Sequence, residues 1–310
     1  MGHVSVNPVV LTIPAKEPFN FALYSEIFNL QDYLMPYHYE TEFWRTLIQT
    51  ESDELVPIEV VPDSPRNCQR LEIRIFCDLD SDATRHVERI IGSIFCTTKS
   101  IERTTGVPNQ LGPFMKKYHG LKPHLSQDPF QSLIKIIVRQ LIGAEHAKKI
   151  ITNLTRNLGN YTEMAGRIFC GFPEANKLAS ASKADLLSSG VGYKWRYIKV
   201  IADHVVRGDL DFKALRSMSD KKVREVLEQF AGIGRWSTEV FLFDGLHRLD
   251  TYPIFDITVQ RAFGLMQLVD ECPRKKATYD WNSFGPRELT GFYATYMFAY
   301  FRQVKNHDEP

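Results

Sequence analysis

Hydrophobic and polar positions alternate early in the chain and then change period. Leu71, Ile73, Ile75 and Cys77 interleave with Arg70, Glu72, Arg74 and Phe76, the period-two pattern of a strand. Val9 to Ile13 and Leu55 to Val61 are short β-branched runs that predict two further strands. Behind them Val87, Ile90, Ile91, Ile94 and Phe95 recur at helical spacing, with Ser81 placed as the cap. No glycine-rich loop joins strand to helix, so this layer reads as a scaffold rather than a nucleotide site.

From about residue 121 the period is helical. Phe130, Leu133, Ile134, Ile137 and Leu141 share one face, and Ala147, Ile150, Ile151, Leu154 and Leu158 another, ended by Gly159. Tyr197, Ile198, Ile201, Ala202 and Val205 form a third stripe, ended by Gly208. Leu289, Phe292, Tyr293, Tyr296, Met297 and Tyr300 form the last. The expected architecture is an α+β domain over residues 1–120, an antiparallel sheet with helices, followed by an all-α domain over residues 121–310. The Pro- and Gly-containing stretch Gly106–Pro123 is the expected linker.

Composition adds little to this, but charge distribution adds something. The net charge is +1, yet residues 1–120 are acidic on balance and residues 121–310 basic, which suits a phosphate backbone. The five cysteines, Cys68, Cys77, Cys96, Cys170 and Cys272, are dispersed with no C-x-x-C pair. That pattern argues against a zinc site or an iron–sulfur cluster and for free thiols in a reducing compartment. No apolar run of about 18 residues predicts a membrane span. The opening residues lack the pattern of a secretion signal.

The informative segment runs from Ser219 to Gly264. Ser219 and Asp220 suit a helix start, and Val223, Val226, Leu227 and Phe230 form its buried face. Ala231-Gly232-Ile233-Gly234-Arg235-Trp236 follows, then a second helical run to about Leu246. Two helices joined by Gly-Ile-Gly make a hairpin whose second helix opens with N–H groups aimed outward, a natural anion site. A plain αα-hairpin with a tight turn fits the isolated motif equally well. Beyond it, Asp256 follows the Pro253-containing extended stretch where a new helix begins, the ordinary place of an N-cap.

Here the order of residues becomes specific. Phe230-Ala231-Gly232-Ile233-Gly234-Arg235-Trp236, followed by Pro253, Asp256, Val259 and Arg261, resembles the signature of the helix–hairpin–helix Gly/Pro/Asp DNA glycosylase superfamily. Asp128-Pro129-Phe130 with Gln140-Leu141-Ile142 resembles that family's first core helix and the loop that wedges into DNA. Gly190-Val191-Gly192-Tyr193-Lys194 with Arg196-Tyr197, and Gly291-Phe292-Tyr293-Ala294, extend the similarity over roughly residues 121–304, with some flavour of the 8-oxoguanine branch. The branch resembled most is 3-methyladenine DNA glycosylase II. Two departures matter. Ala231 stands where the family often has Pro, and Trp236 stands where the lyase branches carry their Schiff-base lysine.

The resemblance implies a monofunctional glycosylase of base excision repair acting on a flipped alkylated purine, with Asp256 as its carboxylate. The rival readings are an 8-oxoguanine-type enzyme without lyase activity and a non-catalytic DNA-binding module. It implies Trp236 as a wall of the base pocket, with Tyr193, Phe298 and Tyr300 as further candidates. Each of these could instead be core. Leu141 matches the DNA wedge, or is a core leucine ending its stripe. Gly232, Gly234, Arg235 and Trp236 would contact phosphate. Lys194 and Arg196 would too, unless they are solvated surface charges. Asp244 and Asp250 are read as solvent-facing. No cofactor is required; a Na or K ion held by the carbonyls of Glu228, Phe230 and Ile233 is the family's hairpin ion, and a cluster is not expected. The expected partner is double-stranded DNA with a damaged base, met by a monomer. The expected location is the cytoplasmic nucleoid of a prokaryote or the nucleus of a eukaryote.

Overall fold

The computed structural model describes residues 8–28, 38–39, 42–50, 54–101, 111–251, 256–265 and 287–308. The first part builds an antiparallel sheet from β1 (Val9–Pro14), β2 (His38–Tyr39), β3 (Trp44–Gln49), β4 (Leu55–Pro62) and β5 (Arg70–Ile75), in the order β1-β5-β4-β3-β2. Alternation fixes the register: Ile73 pairs with Leu11 on one side and Val60 on the other. Helix α1 (Ser81–Ile94) returns over the sheet and buries Val87, Ile90, Ile91 and Ile94. Its cap is Asp80, one residue before the expected Ser81, and the Asp80 carboxylate accepts from the Ala83 N–H at 2.7 Å.

The expected linker is in part a helix, α2 (Leu111–Lys117), because Leu111 and Met115 lie one turn apart and are both buried. Residues 106–110 of that stretch lie outside the described residues. Beyond it come α3 (Pro129–Arg139) and α4 (Ala144–Leu158). The all-α expectation then needs correction. A hairpin of β6 (Asn160–Met164) and β7 (Arg167–Gly171) interrupts the helices and turns at Ala165-Gly166, both with positive φ. Short helices α5 (Ala175–Ser180) and α6 (Lys183–Ser188) lead through a 3-10 turn at Gly192–Lys194 into α7 (Trp195–Val206). Then follow α8 (Phe212–Ser217), α9 (Asp220–Leu227), α10 (Arg235–Asp244), α11 (Ile257–Leu265) and α12 (Thr290–Asp308).

Two cores result. One lies among α3, α4, α7, α9 and α10. The other joins the sheet, α1 and α2 to Val259 and Ala262 of α11 and to Phe292, Tyr296 and Met297 of α12. The last helix is therefore part of the sheet's core. The β6–β7 hairpin closes the seam between the two parts. Phe169 packs with Leu47 and Phe76, and Arg167 reaches Glu59 at 3.5 Å. Glu59 is 3% exposed and also takes Arg45 at 2.6 Å and Arg74 at 3.1 Å. Burial alone would raise its pKa, but the Arg45 bond and charge, with Arg74 and Arg167, hold it below the usual carboxylate range.

Candidate functional site

The hairpin forms as its residues dictate. Ser219 caps α9 by accepting from the Lys222 N–H at 3.4 Å, and Val223 and Leu227 bury its inner face. Gly232 stands at φ +87°, and a Cβ there would meet the Tyr197 ring at 2.5 Å, so the close approach requires glycine. Gly234 is different. Its backbone is extended (φ −116°, ψ −175°), and a Cβ would meet nothing within 4 Å. It caps α10 with no side-chain hydrogen bond, so no capping oxygen of its own stands between the start of the helix and an approaching anion. A Gly234→Val change is therefore expected to fold normally and to weaken binding to every duplex alike, by about tenfold. Unchanged affinity and salt dependence in a fluorescence-anisotropy titration would remove the hairpin from the phosphate contacts.

Trp236 lies in the first turn of α10, half-buried, and its indole Nε1–H donates to Asp256 Oδ2 at 2.8 Å. The other oxygen, Oδ1, accepts from the backbone N–H of Thr258 at 2.8 Å and of Val259 at 3.4 Å. Asp256 is thus both a helix cap and a half-buried carboxylate at the mouth of the hairpin. The indole and the start of α11 fix its plane. Pro253 of the same motif lies outside the described residues, as does Cys272.

The other predicted positions divide. Leu141 follows α3 in a left-handed conformation, φ +59°, and is 94% exposed. Tyr193 is 58% exposed, with its ring edge-on to Tyr197. Phe298 is half-buried on α12. Tyr300 sets its ring edge-to-face on Phe114 at 5.3 Å, a contact at the margin of the sheet's core. Arg235 is exposed, with its Nε on Glu239 at 2.9 Å. Burial raises the Glu239 carboxyl and the Arg235 bond draws it back in part. Glu228 follows the last turn of α9, and the Phe230 carbonyl accepts from the Ile233 N–H at 3.0 Å. Carbonyl oxygens carry a second lone pair and are hard donors, so Glu228, Phe230 and Ile233 fit a monovalent ion in donor chemistry. Among the described residues no group of three or more His, Cys, Asp or Glu could hold a metal.

Two expectations are overturned. Lys194 is not a surface cation: it is 3% exposed and donates to the carbonyls of Val138 and Gln140. Asp244 is not solvent-facing either; it accepts from the hydroxyls of Ser126 at 2.7 Å and Ser132 at 2.5 Å. The sequence reading also missed the role of Gln140. Its amide Nε2 donates to the Gly232 carbonyl at 2.6 Å and to Ser237 Oγ at 2.8 Å, tying the end of α3 to the hairpin. A polar residue closing an apolar stripe just before Leu141 was the available signal.

The described residues thus hold a helical hairpin, the Asp256 carboxylate bonded to its Trp236, and an exposed Leu141 just past the end of α3. Residues 134–285 match the family model described as HhH-GPD superfamily base excision DNA repair protein. One relative is DNA-3-methyladenine glycosylase 1 of Schizosaccharomyces pombe, 23% identical over 61% of this chain and 79% of its own length. Among curated relatives the aligned part spans 47% to 79% of the relative's length. In structure the chain is similar to the 3-methyladenine DNA glycosylase of Archaeoglobus fulgidus. The TM-score is 0.81 at 22% identity, over 95% of this chain and 99% of that one. It is also similar to the 8-oxoguanine glycosylase/lyase of Clostridium acetobutylicum, with a TM-score of 0.70 at 20% identity, over 97% and 99%. No described helix is long and apolar enough to cross a membrane.

Proposed function

We propose that the chain is a monofunctional DNA glycosylase that hydrolyses the N-glycosidic bond of an alkylated purine of the 3-methyladenine type, flipped from double-stranded DNA. The observation that carries this reading is the Asp256 carboxylate, held between the Trp236 indole N–H and the start of α11 beside the hairpin. Departure of the base builds positive charge on the sugar, and a fixed carboxylate stabilises that charge and can polarise the incoming water. The base must leave the stack to be reached. Leu141, already outside the fold, would fill the gap. The hairpin amides around Gly232, Gly234 and Trp236, with Arg235, would hold phosphate. A Na or K ion on the Glu228, Phe230 and Ile233 carbonyls would brace that turn.

The substrate follows from Trp236. An indole cannot form a Schiff base, so removal of the base rests on Asp256 and suits bases that leave readily. A purine methylated on a ring nitrogen is cationic, with a weakened glycosidic bond, and is drawn to an indole face by about 0.5–2 kcal/mol. Tyr193 is the next candidate wall. Phe298 and Tyr300 would contribute only from the side of the sheet's core. The enzyme would act as a monomer.

In single-turnover excision from matched duplexes, 3-methyladenine is expected to be released about a hundredfold or more faster than 8-oxoguanine. Borohydride present during turnover should trap no covalent adduct. A rate advantage for 8-oxoguanine, or efficient trapping through an internal lysine, would overturn this assignment.

A further inference from the structure

Lys194 is a buried ammonium that the proposed chemistry does not use. A charge removed from water is costly unless it is fully bonded. Its place explains its retention. Nζ donates to the carbonyl of Val138 at 2.6 Å and to that of Gln140 at 2.5 Å. These carbonyls close α3, where the last C=O groups lack intrahelical donors and the helix dipole presents its negative end. Burial pulls the ammonium below the usual lysine range.

The next residue is Leu141. Gln140 leaves the helix at φ −55°, ψ 129°, and Leu141 turns to φ +59° with its side chain 94% exposed. A leucine in the left-handed region is strained and persists only where its surroundings impose it. Three hydrogen bonds do so here. Lys194 holds the main chain of Gln140 from beneath, and the Gln140 amide ties the same residue sideways to Gly232 and Ser237. The wedge turn, the hairpin and the start of α7 are thereby locked in one register. Gly190 and Gly192, both at positive φ, bend the loop that delivers Lys194 under α3.

We infer that Lys194 is a positioning residue for base extrusion: its bonds to the end of α3 hold Leu141 in the strained, outward conformation in which it can enter a duplex. Pre-ordering a side chain removes the cost of ordering it on binding, and small misplacements slow such steps disproportionately. The inference rests on the glycosylase reading above.

The test compares Lys194→Met, Lys194→Arg, Leu141→Ala and the double variant Lys194→Met/Leu141→Ala, using duplexes with 2-aminopurine beside the lesion. Lys194→Met is expected to lower the stopped-flow flipping signal and single-turnover excision at saturating protein by about tenfold to a hundredfold. Affinity for undamaged duplex should stay within about twofold, because phosphate contacts dominate it. Lys194→Arg, which keeps the donors, should restore most of the rate. In the Leu141→Ala background the Lys194→Met change should cost little further, since coupled residues are not additive. If Lys194→Met does not fold, Lys194→Gln, a shorter uncharged side chain that loses the ammonium's hold on the carbonyls, takes its place in the cycle. Full flipping by the Lys194 variants of an active protein, or additive losses in the cycle, would overturn the inference alone. A wild-type protein that excises nothing from any duplex would overturn the glycosylase reading and this inference together.

Discussion

Asp256→Asn is expected to slow base excision by about 10²–10⁴-fold while DNA affinity changes by no more than a few-fold. The substitution separates two roles that one residue holds. Asn is about as good an N-cap as Asp, so its side-chain oxygen can still accept from Thr258 and Val259. What it cannot do is face the Trp236 N–H with a second oxygen or offer negative charge to the sugar. A fold-neutral, rate-destroying change is the expected signature, read by thermal melting and single-turnover excision in parallel. Near-normal excision would remove Asp256 from the chemistry. A lowered Tm together with unchanged chemistry in the folded fraction would assign it to capping alone.

Gly232→Val should act on the fold. The position needs φ +87°, and the new Cβ would collide with the Tyr197 ring, 2.5 Å away. Left-handed strain and overpacking together cost about 2–5 kcal/mol, or a fall in Tm of roughly 5–15 °C. The tyrosine cannot withdraw freely, because Tyr197 packs against the helical core and meets Tyr193 edge-on. Equal Tm values for the variant and the parent would contradict this account of the turn. The contrast with Gly234, which has open space and an extended backbone, separates the two glycines that the motif presents as equivalent.

The alternation of Leu71, Ile73 and Ile75 and the apolar run of β4 made the middle of the sheet legible, and the stripe over α1 likewise. Strand β3 was not: its burial runs Trp44, Thr46, Leu47 and Ile48 nearly continuously, because the β6–β7 hairpin covers the face that alternation would leave polar. That hairpin escaped too. A two-residue turn with both residues at positive φ usually announces itself as Asn-Gly, and here it is Ala165-Gly166. At the site, Gly232 was legible because only glycine suits a left-handed turn pressed against a ring, and the position of Asp256 because Asp is a preferred helix cap. Leu141 was ambiguous. Four residues after Ile137 it continues an apolar stripe, and only the end of α3 at Arg139 puts it outside. Lys194 was misread because charge predicts exposure, whereas helix-end carbonyls can hold an ammonium inside.

The α12 helix carries a consequence for biosynthesis. Phe292, Tyr296 and Met297 complete the core of a sheet whose last strand ends at Ile75. A nascent chain therefore exposes the sheet's apolar face to water or to chaperones throughout translation of the helical part. Domains generally fold as they emerge, first part first. Here the first part must wait for the last, and the long-range closure delays its protection from aggregation until α12 has left the ribosome.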